Sequence, residues 1–267
     1  MKTQIYDMSG KSVGEIELPS VFKTSYRPDL IKRAVHAIQS LRRQPYGTNI
    51  LAGRRTSAHY HGSRHYRFTM MNKEMARIRR IHGKSATGTY LAFRARFVAQ
   101  ATKGIRAHAP KAEKIWTQDI NKKELLLSLK SAIAATANTE LLKKRGHVFT
   151  ELVVIDDAVE KIAKTKDLVG LLEKIGLEKE IERCKKSKVR AGRGKTRGRK
   201  YKRKKGIIVV MSKDAAALKS ARNIAGADVV SVEHLLENHN TELFAPGAQA
   251  GRLAIFSKAS LNKLKDL

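Results

Sequence analysis

Apolar positions along the chain follow two different periods. Near the N-terminus, QIYDM and SVGEIEL flank the turn residues Ser9-Gly10, which predicts a β-hairpin. From Asp29 to about Arg43 the residues Leu30, Ala34, Ile38 and Leu41 recur at three- and four-residue spacing, which predicts a helix. A second helix is expected from the capping residue Asn121 through Leu125, Leu129 and Ile133 to about Ala137. After that the pattern changes. Short continuous apolar runs, ELVVI (151–155), IIVVM (207–211), DVVSV (228–232) and LAIF (253–256), alternate with helical segments near 158–183, 214–224 and 232–238. Continuous runs belong to strands buried on both faces, so the expected fold class is α/β, a single three-layer domain with a mostly parallel sheet.

Residues 42–114 resist that scheme, since a loop of more than about 15 residues is uncommon in a compact domain unless it has a function or is disordered. This stretch holds 17 Lys and Arg against two acids, Glu74 and Glu113, and residues 185–205 hold 13 against none. The rest of the chain carries 25 basic and 22 acidic residues, an ordinary near-neutral balance. The expected organisation is therefore a globular domain of residues 1–43 and 115–267, a long basic internal extension over 44–114, and a second basic loop over 185–205 within the globular part.

The net charge of +31 and isoelectric point near 10.4 lie far beyond what solubility requires and imply a polyanionic partner. Within 42–114 stand Tyr46, Tyr60, Tyr66, Phe68, Tyr90, Phe93 and Phe97, interleaved with arginines and five histidines. Arginine can pair with phosphate while an aromatic ring stacks on an unpaired base, so RNA is the expected polyanion. The same residues admit a helical reading: Asn72 could cap NKEMARIRRIH, ended by Gly83, and TYLAFRARFVAQA has helical spacing that would bury Phe93 and Phe97. The two readings are compatible, because a helix can pack through one face and bind through the other.

Other chemistry is weakly supported. The single Cys184 excludes an intrachain disulfide and a multi-cysteine zinc site, which fits a reducing compartment. The N-terminus lacks a signal-peptide core, and no apolar run approaches the ~20 residues that span a bilayer, so no membrane partner is expected. GRGKT (192–196) suggests a phosphate loop, but Val189 stands where its first glycine is required, and the segment precedes its strand. His59, His61 and His65 lie close together without a carboxylate or thiol nearby. Asp156-Asp157 ends an apolar run where open α/β sheets can carry catalytic acids, though such residues more often cap the next helix. The expectation is a protein that is not an enzyme and carries no metal or cofactor.

Several long motifs in collinear order carry a family resemblance. YGTNILAGRRTSAHYHGS, IRAHAPKAEKIW, LLLSLKSAIAATAN with KKRGH, VRAGRGKTRGRKYKRKKGIIVV and DVVSVEHLLENHNTELFAPGAQAGRLAIF together resemble the universal large-subunit ribosomal protein number four family in its archaeal and eukaryotic form. The chain ends at Leu267 without the long C-terminal extension of eukaryotic relatives, so it is most similar to the archaeal type. It departs from the family at Ala109-Pro110, where relatives often have two prolines, and in the centre of the histidine-rich loop.

The resemblance implies a cytoplasmic constituent of the large ribosomal subunit that binds its ribosomal RNA, contacts neighbouring ribosomal proteins and supports assembly. It further implies that the extension threads the RNA toward the peptide exit tunnel, where it would meet the nascent peptide. Fully extended out and back, residues 42–114 could reach at most ~120 Å. Phosphate contacts are expected from Arg42, Arg43, Arg54, Arg55, Arg64, Arg67, Arg106 and Lys111 in the extension. In the second loop they are expected from Arg190, Arg193, Arg197, Arg199 and Lys200. The tip of the extension is expected at AGRRTSAHYHGSR, with Arg54, Arg55, His59, His61 and Arg64 at the tunnel.

Overall fold

A computed structural model of the protein describes residues 1–60, 62–65, 70–71, 74–81 and 94–267. The chain forms two compact units, one of Met1–Arg42 with Thr117–Leu267 and one of Arg43–Trp116.

The first unit is built on a six-stranded sheet. Its strands are β1 (Lys2–Tyr6), β2 (Ser12–Glu17), β3 (Val153–Ile155), β6 (Ile208–Met211), β7 (Asp228–Ser231) and β8 (Ala254–Ser257), while β4 (Lys188–Val189) and β5 (Tyr201–Lys202) form a separate two-stranded sheet. The spatial order is β2-β1-β3-β8-β6-β7. Only the β1–β2 pair is antiparallel, and β1, β3, β8, β6 and β7 run parallel. The mostly parallel sheet expected from the four apolar runs is therefore present, and the N-terminal hairpin joins it through β1.

Side chains alternate across the sheet into two cores. Val154, Ile208, Val210, Val230 and Phe256 face one layer of helices, which includes α1 (Pro28–Leu41), α2 (Lys122–Ala134) and α7 (Val232–Asn238). Val153, Ile155, Val209, Met211 and Ile255 face the other, made by α4 (Thr165–Lys174), α5 (Glu178–Lys185) and α6 (Ala217–Arg222). This is a three-layer α/β domain.

Three details differ from the sequence reading. In α1 the buried stripe is Ile31, Ala34, Val35 and Ala37, rotated from the expected face, so that Leu41 is exposed at the helix end. The single helical segment expected near 158–183 is a 3₁₀ turn at Asp157–Lys161 followed by α4 and α5, which are separated at Gly176, whose φ is +100°. Three short helices had no expectation: α3 (Thr139–Arg145), α8 (Thr241–Phe244) and α9 (Lys258–Lys263). Each is short enough that too few apolar residues repeat to show a period.

The second unit contains no helix among its described residues. The helices expected from NKEMARIRRIH and TYLAFRARFVAQA are absent over 74–81 and 94–101, and Phe97 takes a left-handed φ of +62° that no helix allows. Asn72, Gly83 and Phe93 lie outside the described residues. Among the described residues of this arginine-rich stretch Met75 and Ala76 are exposed and Ile78, Phe97 and Val98 only half-buried, and propensity alone does not hold so short a helix.

Phe256 joins the layers of the first core. It is fully buried, meets Phe22 edge-on at 5.8 Å and stacks with Phe244 at 6.4 Å between ring centroids. We expect Phe256→Ala to lower unfolding free energy by about 3–5 kcal/mol in denaturant titration. A loss well under about 1 kcal/mol would show that the ring is not an organising core residue.

Candidate nucleic-acid interface

The 185–205 segment is an ordered hairpin. Strand β4 (Lys188–Val189) pairs antiparallel with β5 (Tyr201–Lys202), Arg190 N–H donates to Lys200 O at 2.8 Å, and Arg199 N–H donates to Gly194 O at 3.0 Å. The turn between them uses left-handed backbone at Gly192 and Gly198, with φ of +76° and +77°. Arg190, Arg193, Arg197, Arg199 and Lys200 are all exposed, and among the described residues none of them is in an ion pair. Lys188 lies directly opposite Lys202, an arrangement that repels in the free chain. The hairpin therefore presents concentrated positive charge with no internal counter-charge.

Its root is held by buried polar groups that the sequence did not reveal. Arg252 is fully buried and spends its guanidinium on Gly206 O (2.8 Å), Ile207 O (3.0 Å), Leu243 O (2.8 Å), Gly226 O (3.3 Å) and the Asp228 carboxylate (2.6 Å). Burial pushes its pKa down, and Asp228 opposes that shift. Asp228 also accepts from Lys205 Nζ at 2.8 Å. Gly206 packs so close to Cys184 that a Cβ there would stand 2.6 Å from Sγ, which leaves no room for a side chain.

On the preceding helix, Glu180 is buried and accepts from Arg183 Nε at 3.0 Å, and the Arg183 guanidinium donates on to Lys205 O at 3.0 Å. His147 completes the cluster. Its Nε2 accepts from Leu253 N–H at 3.4 Å, so its Nδ1 carries the proton and donates to Glu180 at 2.7 Å. Burial alone would raise the Glu180 pKa, but the hydrogen bonds from His147 and Arg183 outweigh it and hold the carboxyl at about 2. Both ends of the hairpin thus leave a rigid base.

In the second unit the limbs of the extension lie side by side. Thr48 N–H donates to Pro110 O at 3.1 Å, and Gly47 approaches Ala112. Gly53 meets Gly104 and Ile105 so closely that a Cβ would come within 2.5 Å of Gly104 O. Farther out, Arg80 pairs by backbone with both His59 and Ala95, which ties three passes of the chain together.

Arg43, Arg54, Arg55, Arg64, Arg106 and Lys111 are exposed. Arg42, on the first unit, is exposed but bonded to Glu242 at 2.7 Å, so a phosphate would have to displace that carboxylate. Arg67 and His61 lie outside the described residues. His59 is exposed, with Nδ1 donating to Ser57 O at 3.1 Å. Arg80 and Arg96, not singled out by sequence, are buried, and Arg96 donates to Ala95 O and Thr102 O. Arg96 lines a cavity of about 480 Å³ with Asn49, Arg55, Ile81 and Lys103.

The weaker motifs acquire structural roles. GRGKT occupies the hairpin turn and is followed by β5, whereas a phosphate loop runs into a helix. Asp157 accepts from Ala259 N–H at 2.7 Å and so caps α9, a different helix from the next one in sequence. Among the described residues no group of three His, Cys, Asp or Glu side chains is placed to hold a metal, and no helix is long and apolar enough to cross a membrane.

The model of the ribosomal protein L4/L1 family matches residues 16–267. The large ribosomal subunit protein uL4 of Methanocaldococcus jannaschii is 44% identical over 271 residues, covering 100% of this chain and 99% of that protein. The protein of the same name from Methanosphaera stadtmanae is 43% identical over 271 residues, covering 100% and 97%. The one from Archaeoglobus fulgidus is 44% identical over 267 residues, covering 99% and 98%.

The depressed Glu180 pKa makes the hairpin base acid-sensitive. Its contribution is fully present above the ordinary glutamate value of 4.5 and is lost as pH falls toward 2. We expect Glu180→Gln to cost about 3 kcal/mol at pH 7, with the difference from the parent protein shrinking steadily between about pH 5 and 2.5 in denaturant titrations. A cost that stays constant over that range would contradict the assigned network.

Proposed function

From the fact that this chain belongs to the ribosomal protein L4/L1 family, we propose that it is a structural constituent of the large ribosomal subunit that binds large-subunit ribosomal RNA and supports its assembly. The observation that carries the RNA-binding reading is uncompensated charge on ordered backbone. The hairpin over residues 188–202 contains no acid, and its exposed cations lack ion-pair partners among the described residues. Arg43, Arg54, Arg55, Arg106 and Lys111 are likewise exposed and without ion-pair partners there. Each phosphate that such a cation neutralises releases condensed counterions, so binding is driven by salt release and weakens steeply as salt rises. Phosphate contacts position the protein, and aromatic rings add stacking on unpaired bases.

The role is structural, with no catalytic step and no cofactor. The second unit is the segment that enters the RNA, with Arg54, Arg55, His59, His61 and Arg64 near its tip lining the exit tunnel and meeting the nascent peptide. Small residues around these cations let the backbone lie close to RNA. The remaining surface meets neighbouring ribosomal proteins of the cytoplasmic large subunit.

Deletion of residues 54–104 tests this reading with little disturbance, because Gly53 already touches Ile105 in the folded chain. The shortened protein should keep its cooperative unfolding transition while its affinity for large-subunit RNA falls at least about tenfold and its dependence on salt becomes shallower. Loss of folding, or an unchanged salt dependence, would overturn the assignment of the second unit as the RNA-entering part.

A further inference from the structure

The base of the extension carries an aromatic stack that charge alone does not explain. Tyr46 lies nearly parallel to Trp116, with ring centroids 5.2 Å apart and an interplanar angle of 21°. The Arg43 guanidinium sits 4.0 Å from the centre of the Trp116 ring, and Lys114 Nζ sits 4.4 Å from it. Two cations thus crowd one indole. Each is attracted to the ring, yet they repel one another, and among the described residues no carboxylate pairs with either. Tyr46 is covered on its Trp116 side but remains 52% exposed overall.

An open aromatic face beside two unneutralised cations matches one ligand chemistry, a nucleotide whose base stacks while its phosphates lie between the positive charges. Resting on the RNA-binding role given above, we propose that Tyr46 stacks an unpaired base of the large-subunit RNA, with Arg43 and Lys114 holding the phosphates that flank it. A paired base cannot enter, because both of its faces are already covered by neighbours in the helix. Trp116 is the backing plate of this site: it stacks on Tyr46 and holds the two cations close to its own ring. The site lies where the two limbs of the extension begin and end, so a bound nucleotide would fasten both limbs to RNA at one point.

The test compares two ligands of equal length and charge, a short single-stranded uridine oligomer and the matching abasic ribose-phosphate oligomer. With the full-length chain, Tyr46→Leu should reduce the preference for the base-bearing oligomer about tenfold, whereas Tyr46→Phe, which keeps the ring, should leave the preference unchanged. Trp116 is the chain's single tryptophan, so its emission reports whether the indole environment survives in each variant. An unchanged preference in Tyr46→Leu would overturn the proposal, as would equal weakening toward both oligomers, since the stack would then only position the cations. Cosedimentation of each variant with large subunits is read separately: a chain that keeps the base preference but fails to enter subunits would refute the ribosomal role and leave the stacking site standing.

Discussion

The buried guanidinium of Arg252 is the interaction on which the arrangement of the first unit depends. A parallel sheet leaves backbone carbonyls at the ends of its strands, and here Arg252 gathers those of Gly206, Ile207 and Gly226, together with the Asp228 carboxylate. Removing a charge from water is costly, and only such saturation of its donors makes the burial tolerable. The consequence is positional. Gly206 and Ile207, the two residues that lead into β6, both accept from Arg252, so the basic hairpin leaves the sheet from a fixed point. Lys205 is held from two more sides, through Asp228 and through Arg183. A segment dense in like charge is thereby kept ordered in the free chain, where self-repulsion would otherwise spread it.

The extension solves the same problem differently. Among its described residues Ala58 and Met70 are the buried apolar side chains, and backbone contacts between passes of the chain hold it. Gly53 and Gly104 permit the closest of these, and the paired limbs then carry their cations outward. Both devices leave positive charge facing solvent on a defined backbone, a state that is stabilised when a polyanion takes the place of scattered counterions. The near-neutral remainder of the chain does not share that need, and it folds as an ordinary three-layer domain.

What the sequence revealed follows from this division. Val153–Ile155, Ile208–Met211 and Ala254–Ser257 were legible because central parallel strands are apolar on both faces, which leaves an unbroken run. The two basic segments were legible because charge needs no geometry to be counted. The helices expected in the extension are absent over 74–81 and 94–101, where helical spacing comes without a buried apolar face. The root clusters were invisible for the opposite reason: His147 and Glu180 are 33 residues apart, and Arg252 lies 46 from Gly206. Nothing local marks an arginine that will be buried. Gly146, left-handed with φ of +84° at the end of α3, was the one hint that His147 turns out of its helix. The Tyr46–Trp116 stack likewise joins residues from opposite limbs.

The central claim, that the chain works as a fixed RNA-bound part of the large ribosomal subunit, is tested most directly by sedimentation of the native protein from its own cells. The account predicts that nearly all of it travels with large subunits and assembled ribosomes, in a ratio near one per subunit, and is released only at salt high enough to compete for phosphates. A protein found mainly free, or bound to small subunits, would contradict the account.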